Sequence, residues 1–229
     1  MNELINNFAE GRVILIDKPY RWTSFDVVRK IRRLIGIKKI GHAGTLDPLA
    51  TGLLILCTGK FTKKINEYMA REKEYTGTIK LGATTPTYDL ESEPENFKDG
   101  SHLTQQDVDA AAATFTGEIM QVPPIYSAIK TEGKRAYELA RRGKDVELKA
   151  RQITVSLFET KLDYPNLDFR IVCSTGTYIR SLAHDIGQKL GCGGYLSSLC
   201  RTRIGEFTLD KAMSIEKFER EIQHDNTHD

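Results

Sequence analysis

A glycine-rich run over residues 41–60 constrains this chain more than any other stretch. It reads GHAGTLDPLATGLLILCTGK and places one carboxylate, Asp47, just before an apolar strand expected over Leu53–Cys57. The glycines before Asp47 permit backbone angles that other residues resist, and Pro48 restrains Asp47 to extended or turn geometry. The run therefore predicts a stiff turn that holds Asp47 beside a buried strand, although an isolated Asp-Pro pair also starts ordinary turns.

The composition indicates a globular protein, with 40% apolar and 28% charged residues among 229, enough to bury a substantial core. No apolar run approaches the roughly 20 residues of a membrane helix, and the first residues lack the basic and apolar pattern of a signal peptide. The four cysteines show no metal-ligand spacing and are interpreted as reduced packing residues. We therefore predict a cytoplasmic protein that uses no membrane segment and no metal.

Basic residues are concentrated locally, although the net charge is only +2. Between Arg29 and Lys39 there are six basic residues and no acidic one, and between Lys130 and Arg151 there are eight basic and four acidic residues. Clusters of basic residues favour contact with a phosphate-bearing surface. A solvated helix face explains them equally well.

Hydrophobic periodicity predicts an α+β protein without repeats. Thr23, with Asp26 three positions on, predicts the start of a helix that ends at Gly36. Residues 86–101, rich in Pro, Asp, Glu and Ser, predict a mobile acidic loop. The other expected strands lie over 12–16, 74–81, 153–162 and 168–174, with a last strand at the end of 195–207. The other expected helices lie over 63–70, 104–115, 133–142, 177–190 and 212–222.

The run around Asp47 resembles the first signature of the TruB family of tRNA pseudouridine synthases, which carries that family's catalytic aspartate. The family pattern is Gly-His-x-Gly-Thr-Leu-Asp-Pro-x-Ala-x-Gly, and an Asp-Lys-Pro string at 17–19 resembles its opening segment. The resemblance implies an enzyme that flips uridine 55 out of the T-loop of tRNA and isomerises it to pseudouridine, with Asp47 as nucleophile. The nine matching positions are Gly41, His42, Gly44, Thr45, Leu46, Asp47, Pro48, Ala50 and Gly52.

The same resemblance implies a pseudouridine synthase-like fold, with a mixed, mainly antiparallel sheet flanked by helices and RNA-binding loops. It implies an N-terminal tail over 1–10 and a catalytic domain over 11–212. That domain would include a basic RNA-contacting segment at about 118–151. Residues 213–229 would form a C-terminal helix and acidic tail, and we expect no RNA-binding PUA domain.

Two further residues are expected to take part in catalysis. Arg180 lies in a Gly-Thr-Tyr-Ile-Arg string that resembles a family signature in which the arginine pairs with the catalytic aspartate, and such a partner would hold Asp47 ionised and oriented. Tyr75 lies in a Lys-x-Tyr string that resembles another signature; its ring could stack on a flipped uracil, and its hydroxyl could assist proton movement. An exposed helix arginine and an ordinary strand tyrosine are the simpler interpretations.

Five residues are expected to bind the substrate. His42 could stack in the space that the flipped nucleotide leaves, Tyr178 would lie near the same pocket, and Leu199 would form an apolar wall for the base. Lys18 and Lys130 would contact phosphates or the substrate loop. No organic cofactor is required, and the Gly-Lys pair at 59–60 lacks the earlier glycine of an ATP-binding loop.

The expected partner is the T-arm stem-loop of tRNA, bound by a monomer that requires no protein partner. A second hypothesis is an RNA-binding or tRNA-folding protein that remodels the T-arm without catalysis. A third, a hydrolase with Asp47 as nucleophile, lacks a second carboxylate or base at recognisable spacing.

Overall fold

The computed structural model describes residues 8–127, 130–131, 134–135 and 148–225. Side chains are described outside 128–147 and up to residue 224. The chain forms two compact units. The first contains residues 1–75 and 199–229, and the second contains residues 76–198.

The α-helices and strands of the described residues are numbered in chain order. Short 3₁₀ turns cover Gly59–Lys64 and Leu209–Lys211. The helices are α1 (Ser24–Ile35), α2 (Ile65–Met69), α3 (Gln105–Ala113), α4 (Ile179–Lys189) and α5 (Ile215–Asp225). The strands are β1 (Val13–Lys18), β2 (Ile40–His42), β3 (Thr51–Thr58), β4 (Lys73–Leu81), β5 (Gly117–Gln121), β6 (Lys130–Thr131), β7 (Lys134–Arg135), β8 (Arg151–Asp163), β9 (Asn166–Cys173), β10 (Gly194–Ile204) and β11 (Phe207–Thr208).

Strand β3 is the centre of the first unit. Along one edge it pairs antiparallel with β1, from Val13 opposite Cys57 to Lys18 opposite Gly52. Along its other edge it pairs antiparallel with β2 near Cys57 and in parallel with the end of β10 at Thr51 and Gly52. All residues of β3 after Thr51 are buried, and because side chains alternate along a strand, both faces of β3 are covered. Burial on both faces explains the apolar run in its sequence.

Each face of β3 supports its own core. Leu54 and Leu56 pack into a cluster that includes Ile31 of α1 and Phe218 of α5. On the opposite face Leu53, Ile55 and Cys57 pack in a second cluster with Tyr68. Helix α1 begins with the expected capping box between Thr23 and Asp26 and ends at Gly36 in the left-handed conformation. This packing fixes both ends of the segment that carries Asp47.

The second unit is built on antiparallel strand pairs. Strand β8 pairs with β5 on one side and with β9 on the other, with an irregularity between Val155 and Leu157. The strand order in this part of the chain is β10-β4-β9-β8-β5. Helix α3 packs against β8, where the Gln105 side chain accepts a hydrogen bond from the Leu162 backbone N–H at 2.7 Å. Helix α4 follows β9 and carries Arg180.

The expected α+β class with a mixed, mainly antiparallel sheet is confirmed, since β3 and β10 pair in parallel and the flanking pairs are antiparallel. The helix expected over 63–70 is present as the shorter α2, and residues 63–64 belong to the preceding 3₁₀ turn. Of the helix expected over 133–142, only Lys134–Arg135 lie within the described residues, and they form β7. No helix in the described part of the chain is long and apolar enough to cross a membrane. The division into a 1–10 tail, an 11–212 catalytic domain and a 213–229 end stays a prediction.

Candidate active site

Asp47 lies half-buried in the turn between β2 and β3 of the first unit. The turn begins at Gly44, whose φ of +95° is a conformation that only glycine adopts readily. Ser24 of α1 then fixes Leu46 twice, since its hydroxyl accepts from the Leu46 N–H at 2.9 Å and donates to the Leu46 carbonyl at 3.2 Å. The predicted stiff turn is therefore present, and its backbone is tied to α1.

Gly52 closes the turn by allowing two strands to approach each other. It lies opposite Arg201 in the parallel pairing of β3 and β10. Its φ is +100°, and a side-chain Cβ there would meet the Arg201 carbonyl oxygen at 2.4 Å. Glycine is required at this position for both reasons.

Arg201 is a buried cation that braces the turn, and no sequence pattern predicted a role for it. Its side chain is buried, with 1% of the residue exposed. The guanidinium donates through Nε to the Leu53 carbonyl at 2.8 Å, through Nη2 to the Gly44 carbonyl at 3.1 Å and through Nη1 to the Thr45 carbonyl at 3.5 Å. One side chain thus joins the start of the Asp47 turn to β3.

Lys18 braces the other side of the same turn. Its Nζ donates to the carbonyls of Pro19, Trp22 and Pro48 at 3.0, 2.5 and 3.3 Å, and the residue is fully buried. Burial lowers the pKa of Lys18 to about 8, although the nearby Asp47 carboxylate raises it and the Arg201 charge lowers it. These contacts fit a role in holding Pro48, and the predicted phosphate contact of Lys18 stays a prediction.

His42 ends β2 just before the turn. Burial lowers the pKa of its imidazole, the Arg201 charge lowers it further, and a hydrogen bond with the Gly44 backbone opposes the shift. The lowered pKa favours the neutral ring, a state that suits stacking on a base better than pairing with a phosphate. Its predicted role in the vacated nucleotide position stays a prediction.

We expect Arg201→Lys to lower the free energy of unfolding by about 2–4 kcal/mol, because an ammonium group cannot reach three separated carbonyls and leaves buried acceptors unpaired. Urea unfolding followed by circular dichroism measures this loss.

Arg203→Lys is the matched control for Arg201→Lys, since Arg203 lies on the same strand, is partly exposed and pairs with Glu72 at 2.9 Å. A part-exposed ion pair contributes less than about 1 kcal/mol. Equal losses in the two variants would show that Arg201 does not brace the turn.

Arg180 lies in the first turn of α4 in the second unit and is 5% exposed, so it is not the exposed helix arginine of the simpler interpretation. Its Nη1 donates to the Thr87 carbonyl at 3.2 Å and its Nη2 to the Tyr126 carbonyl at 3.0 Å. Its Nε lies 3.7 Å from the Oδ2 atom of Asp89. The pairing of Arg180 with Asp47 stays a prediction.

Asp89 is a second carboxylate, and it lies in the segment 86–101 that was predicted only as a mobile acidic loop. It is 4% exposed, and its Oδ1 accepts from the Thr87 hydroxyl at 2.6 Å and from the Glu91 N–H at 3.0 Å. These bonds fix the carboxylate that faces Arg180. The preceding residue, Tyr88, has a φ of +64° and stacks on the His184 ring with centroids 3.9 Å apart. The loop is thus structured around Arg180.

Tyr178 is the N-cap residue of α4, two positions before Arg180. Gln121 of β5 binds its backbone at both ends, since the Gln121 side chain accepts from the Tyr178 N–H at 2.8 Å and donates to the Tyr178 carbonyl at 3.0 Å. The Arg151 guanidinium lies 4.8 Å from the centre of its ring. The ring therefore has a cationic neighbour, and its role in substrate binding stays a prediction.

The remaining predicted site residues lie on three different strands. Tyr75 lies in β4 and is 8% exposed. Leu199 lies half-buried in β10, and its carbonyl accepts from the Thr51 hydroxyl at 3.4 Å. Lys130 lies in β6, and its side chain is outside the described part of the chain, as are 128–129, 132–133 and 136–147 of the predicted basic segment. The roles of these residues stay predictions.

Within the described residues, no group of three or more His, Cys, Asp or Glu side chains is arranged to hold a metal ion. The first unit holds a carboxylate in a fixed turn, and the second unit holds a buried guanidinium bound by two carbonyl groups.

Comparison with known proteins identifies the family of this chain. Residues 32–179 match the model of the TruB family pseudouridylate synthase N-terminal domain, and residues 180–229 match the tRNA pseudouridylate synthase B C-terminal domain. A protein of Phocaeicola vulgatus named tRNA pseudouridine synthase B is 52% identical over 93% of this chain and 93% of its own length. One of the same name from Flavobacterium johnsoniae is 50% identical over 94% of this chain and 98% of its own.

Solved structures agree with this result. The crystal structure of a Cbf5-Nop10-Gar1 complex contains a chain that is 30% identical, with a TM-score of 0.74, and the match covers 94% of this chain and 56% of that one. A chain of the archaeal box H/ACA sRNP Nop10-Cbf5 complex is 27% identical, with a TM-score of 0.70, over 94% of this chain and 55% of its own. The expected pseudouridine synthase-like fold is thereby confirmed. The chain belongs to the TruB family of pseudouridylate synthases.

Proposed function

We propose that this chain is a tRNA pseudouridine synthase that converts uridine 55 in the T-loop of tRNA to pseudouridine. The observation that carries the proposal is the Asp47 turn, in which all nine positions of the family's first signature are present and two buried cations hold the backbone. Relatives at 50–52% identity carry the name tRNA pseudouridine synthase B, which supports tRNA as the substrate.

In the proposed reaction, Asp47 acts as a nucleophile on the flipped nucleotide. The bond between N1 of uracil and C1′ of ribose breaks, the uracil turns, and C5 bonds to C1′ while the bond formed by Asp47 is released. C5 then loses its proton and N1 gains one, so the number of protons is unchanged. A carboxylate that forms a covalent intermediate divides this difficult exchange into easier steps. The reaction is an isomerisation, so no atom is gained or lost and no oxidant is consumed.

Arg180 is proposed to keep Asp47 ionised, as the family signature implies. Its described partners leave the guanidinium plane fixed by two carbonyls and one carboxylate, so it needs little reorganisation to act on charge in the reaction. We propose that the protein acts as a cytoplasmic monomer on the T-arm and needs no protein partner.

An unmodified tRNA transcript tests the function directly. Base composition after incubation reports isomerisation, a gel shift reports binding and strand length reports hydrolysis. We expect pseudouridine at one position of the T-loop and intact strands. A gel shift without pseudouridine would replace the proposal with the tRNA-folding protein considered above.

Tyr75 is proposed to stack on the flipped uracil and to assist removal of the C5 proton. We expect Tyr75→Phe to bind RNA nearly normally while stalling turnover, and Tyr75→Leu to lose affinity as well. Base–aromatic stacking is worth roughly 1–3 kcal/mol, which corresponds to about 5- to 150-fold in affinity. Single-turnover rates and filter binding measure the two effects.

Phenylalanine at 75 that matches the wild-type rate would remove the hydroxyl from catalysis. Leucine at 75 that binds and reacts normally would place Tyr75 outside the pocket.

A further inference from the structure

The first unit contains a solvent-open cavity of about 410 Å³ at the start of α1, and we call it the Trp22 pocket. Its size is within the range of ligand-binding clefts, roughly 300–1,000 Å³. The side chains that line it come from the loop before α1 and from the exposed side of that helix. They are Arg21, Trp22, Asp26, Arg29, Lys30 and Arg33.

The pocket has an excess of positive charge. Arg29 pairs with Asp26, and Lys30 donates to both carboxylate oxygens of Glu219 on α5 at 2.7 and 2.8 Å. Among the residues that the structure describes, no carboxylate pairs with Arg21 or Arg33. Two exposed guanidinium groups therefore face the pocket with their charge uncompensated, which favours an anionic ligand.

Aromatic side chains lie in the pocket and beside Arg21. Trp22 lines the pocket, and its neighbours Tyr20 and Phe25 are 49% and 59% exposed. The Arg21 guanidinium lies 5.6 Å from the centre of the Tyr20 ring. Basic groups interleaved with exposed aromatic faces are typical of nucleic-acid surfaces. An acidic peptide would use the cations but would leave the aromatic rings exposed.

Arg21 adopts a strained backbone conformation. Its φ of +65° is uncommon for a residue with a Cβ and costs on the order of 1–3 kcal/mol. The Arg21 N–H donates to the Pro48 carbonyl at 2.8 Å, and Lys18 binds the carbonyls on both sides of Arg21, at Pro19 and Trp22. The bonds that hold Arg21 in this conformation thus also hold the residue after Asp47.

We propose that the Trp22 pocket is an RNA-backbone site, in which Arg21 and Arg33 bind phosphodiester oxygens of the substrate RNA. The inference rests on the proposed function and adds a second contact region to the Asp47 turn. Because the Arg21 loop and the Asp47 turn share Lys18 and Pro48, a phosphate bound at Arg21 sets the position of the RNA relative to the turn.

The salt dependence of RNA binding tests the proposal. The variant combines Arg33→Gln with Arg21→Gly, since glycine accepts the φ of +65° and removes only the side chain. With an unmodified tRNA transcript, we expect Kd to rise about tenfold and the slope of log K against log salt to become shallower by about 1.5–2. Arg33→Gln alone, on an exposed helix position, should give about half of the slope change, and it serves if the double variant is unfolded.

Lys161→Gln with Lys189→Gln is the matched control, because it removes the same charge from exposed positions of the second unit. We expect its slope and Kd to stay near wild type. A control that loses as much slope as the pocket variant would attribute the effect to net charge and overturn the proposal, as would an unchanged slope in the pocket variant.

Trp22 is the only tryptophan in the chain, so its fluorescence reports on the pocket itself. We expect the tRNA transcript to reduce quenching of Trp22 by acrylamide at low salt and high salt to restore it. Binding by gel shift with unchanged quenching would overturn the proposal. The pseudouridine assay on the wild type separates the pocket proposal from the proposed function. If the wild type forms pseudouridine but the pocket variant keeps the wild-type salt slope, only the pocket proposal is rejected. If tRNA binds at the pocket but no pseudouridine forms, only the proposed function is rejected.

Discussion

Asp47→Asn is expected to reduce pseudouridine formation by at least about 1,000-fold while tRNA affinity stays within about tenfold of wild type. The amide keeps the shape of the carboxylate but lacks its nucleophilic charge. The turn is held through backbone groups of Leu46 and Pro48 and should persist in the variant. Single-turnover assays at saturating transcript measure the rate, and filter binding measures the affinity.

Asp210→Asn is the matched control for Asp47→Asn, since it makes the same chemical change at an exposed position of the first unit. Its rate should equal that of the wild type. Substantial turnover by purified Asp47→Asn would reject Asp47 as the nucleophile. A large loss of affinity would show that the carboxylate is needed to bind RNA as well.

Much of the fold could be predicted from local sequence patterns. The capping box of α1 could be predicted because Thr23 and Asp26 are close together in the chain. Strand β3 could be predicted because its apolar run indicates burial. Helix α2 was predicted too long because Gly59–Lys64 forms a 3₁₀ turn, a distinction that hydrophobic periodicity does not make. Hydrophobic periodicity does not predict helix boundaries that depend on such local hydrogen bonding.

The Asp47 turn was predicted because glycine and proline restrict the backbone whatever surrounds them. Its supports were not predicted in this role. Lys18 and Arg201 act through bonds to carbonyls that are up to 157 positions away in sequence, and nothing in a single sequence marks which cations are buried. The one available signal was Gly52, whose small size is required by the approach of Arg201.

Asp89 was missed for a related reason. Its surroundings are rich in polar residues and turn formers, which is the composition of an exposed loop. Thr87 and Asp89 are buried, and their polar groups are satisfied by the bond between them and by the ion pair of Asp89 with Arg180, which lies 91 positions later. A buried carboxylate in a polar segment can be predicted only when its partner is known.

Arg180→Lys is expected to lower the single-turnover rate by at least about 100-fold and the free energy of unfolding by about 2–4 kcal/mol. The guanidinium reaches the Thr87 and Tyr126 carbonyls with separate nitrogens while facing Asp89, all in a buried site. Lysine keeps the charge but presents one nitrogen, so carbonyl acceptors lose their donor. Rate and urea-unfolding measurements on the same preparation report both effects.

Arg170→Lys is the control for Arg180→Lys, because Arg170 is in the same unit, is exposed and pairs with Glu159 at 3.2 Å. An exposed pair contributes little, so this variant should keep the wild-type rate and lose less than about 1 kcal/mol. Wild-type turnover in Arg180→Lys would show that the planar guanidinium group is not needed for catalysis. If Arg180→Lys loses stability but keeps its rate at temperatures where it is folded, Arg180 supports the loop around Asp89 and is not the partner of the catalytic carboxylate.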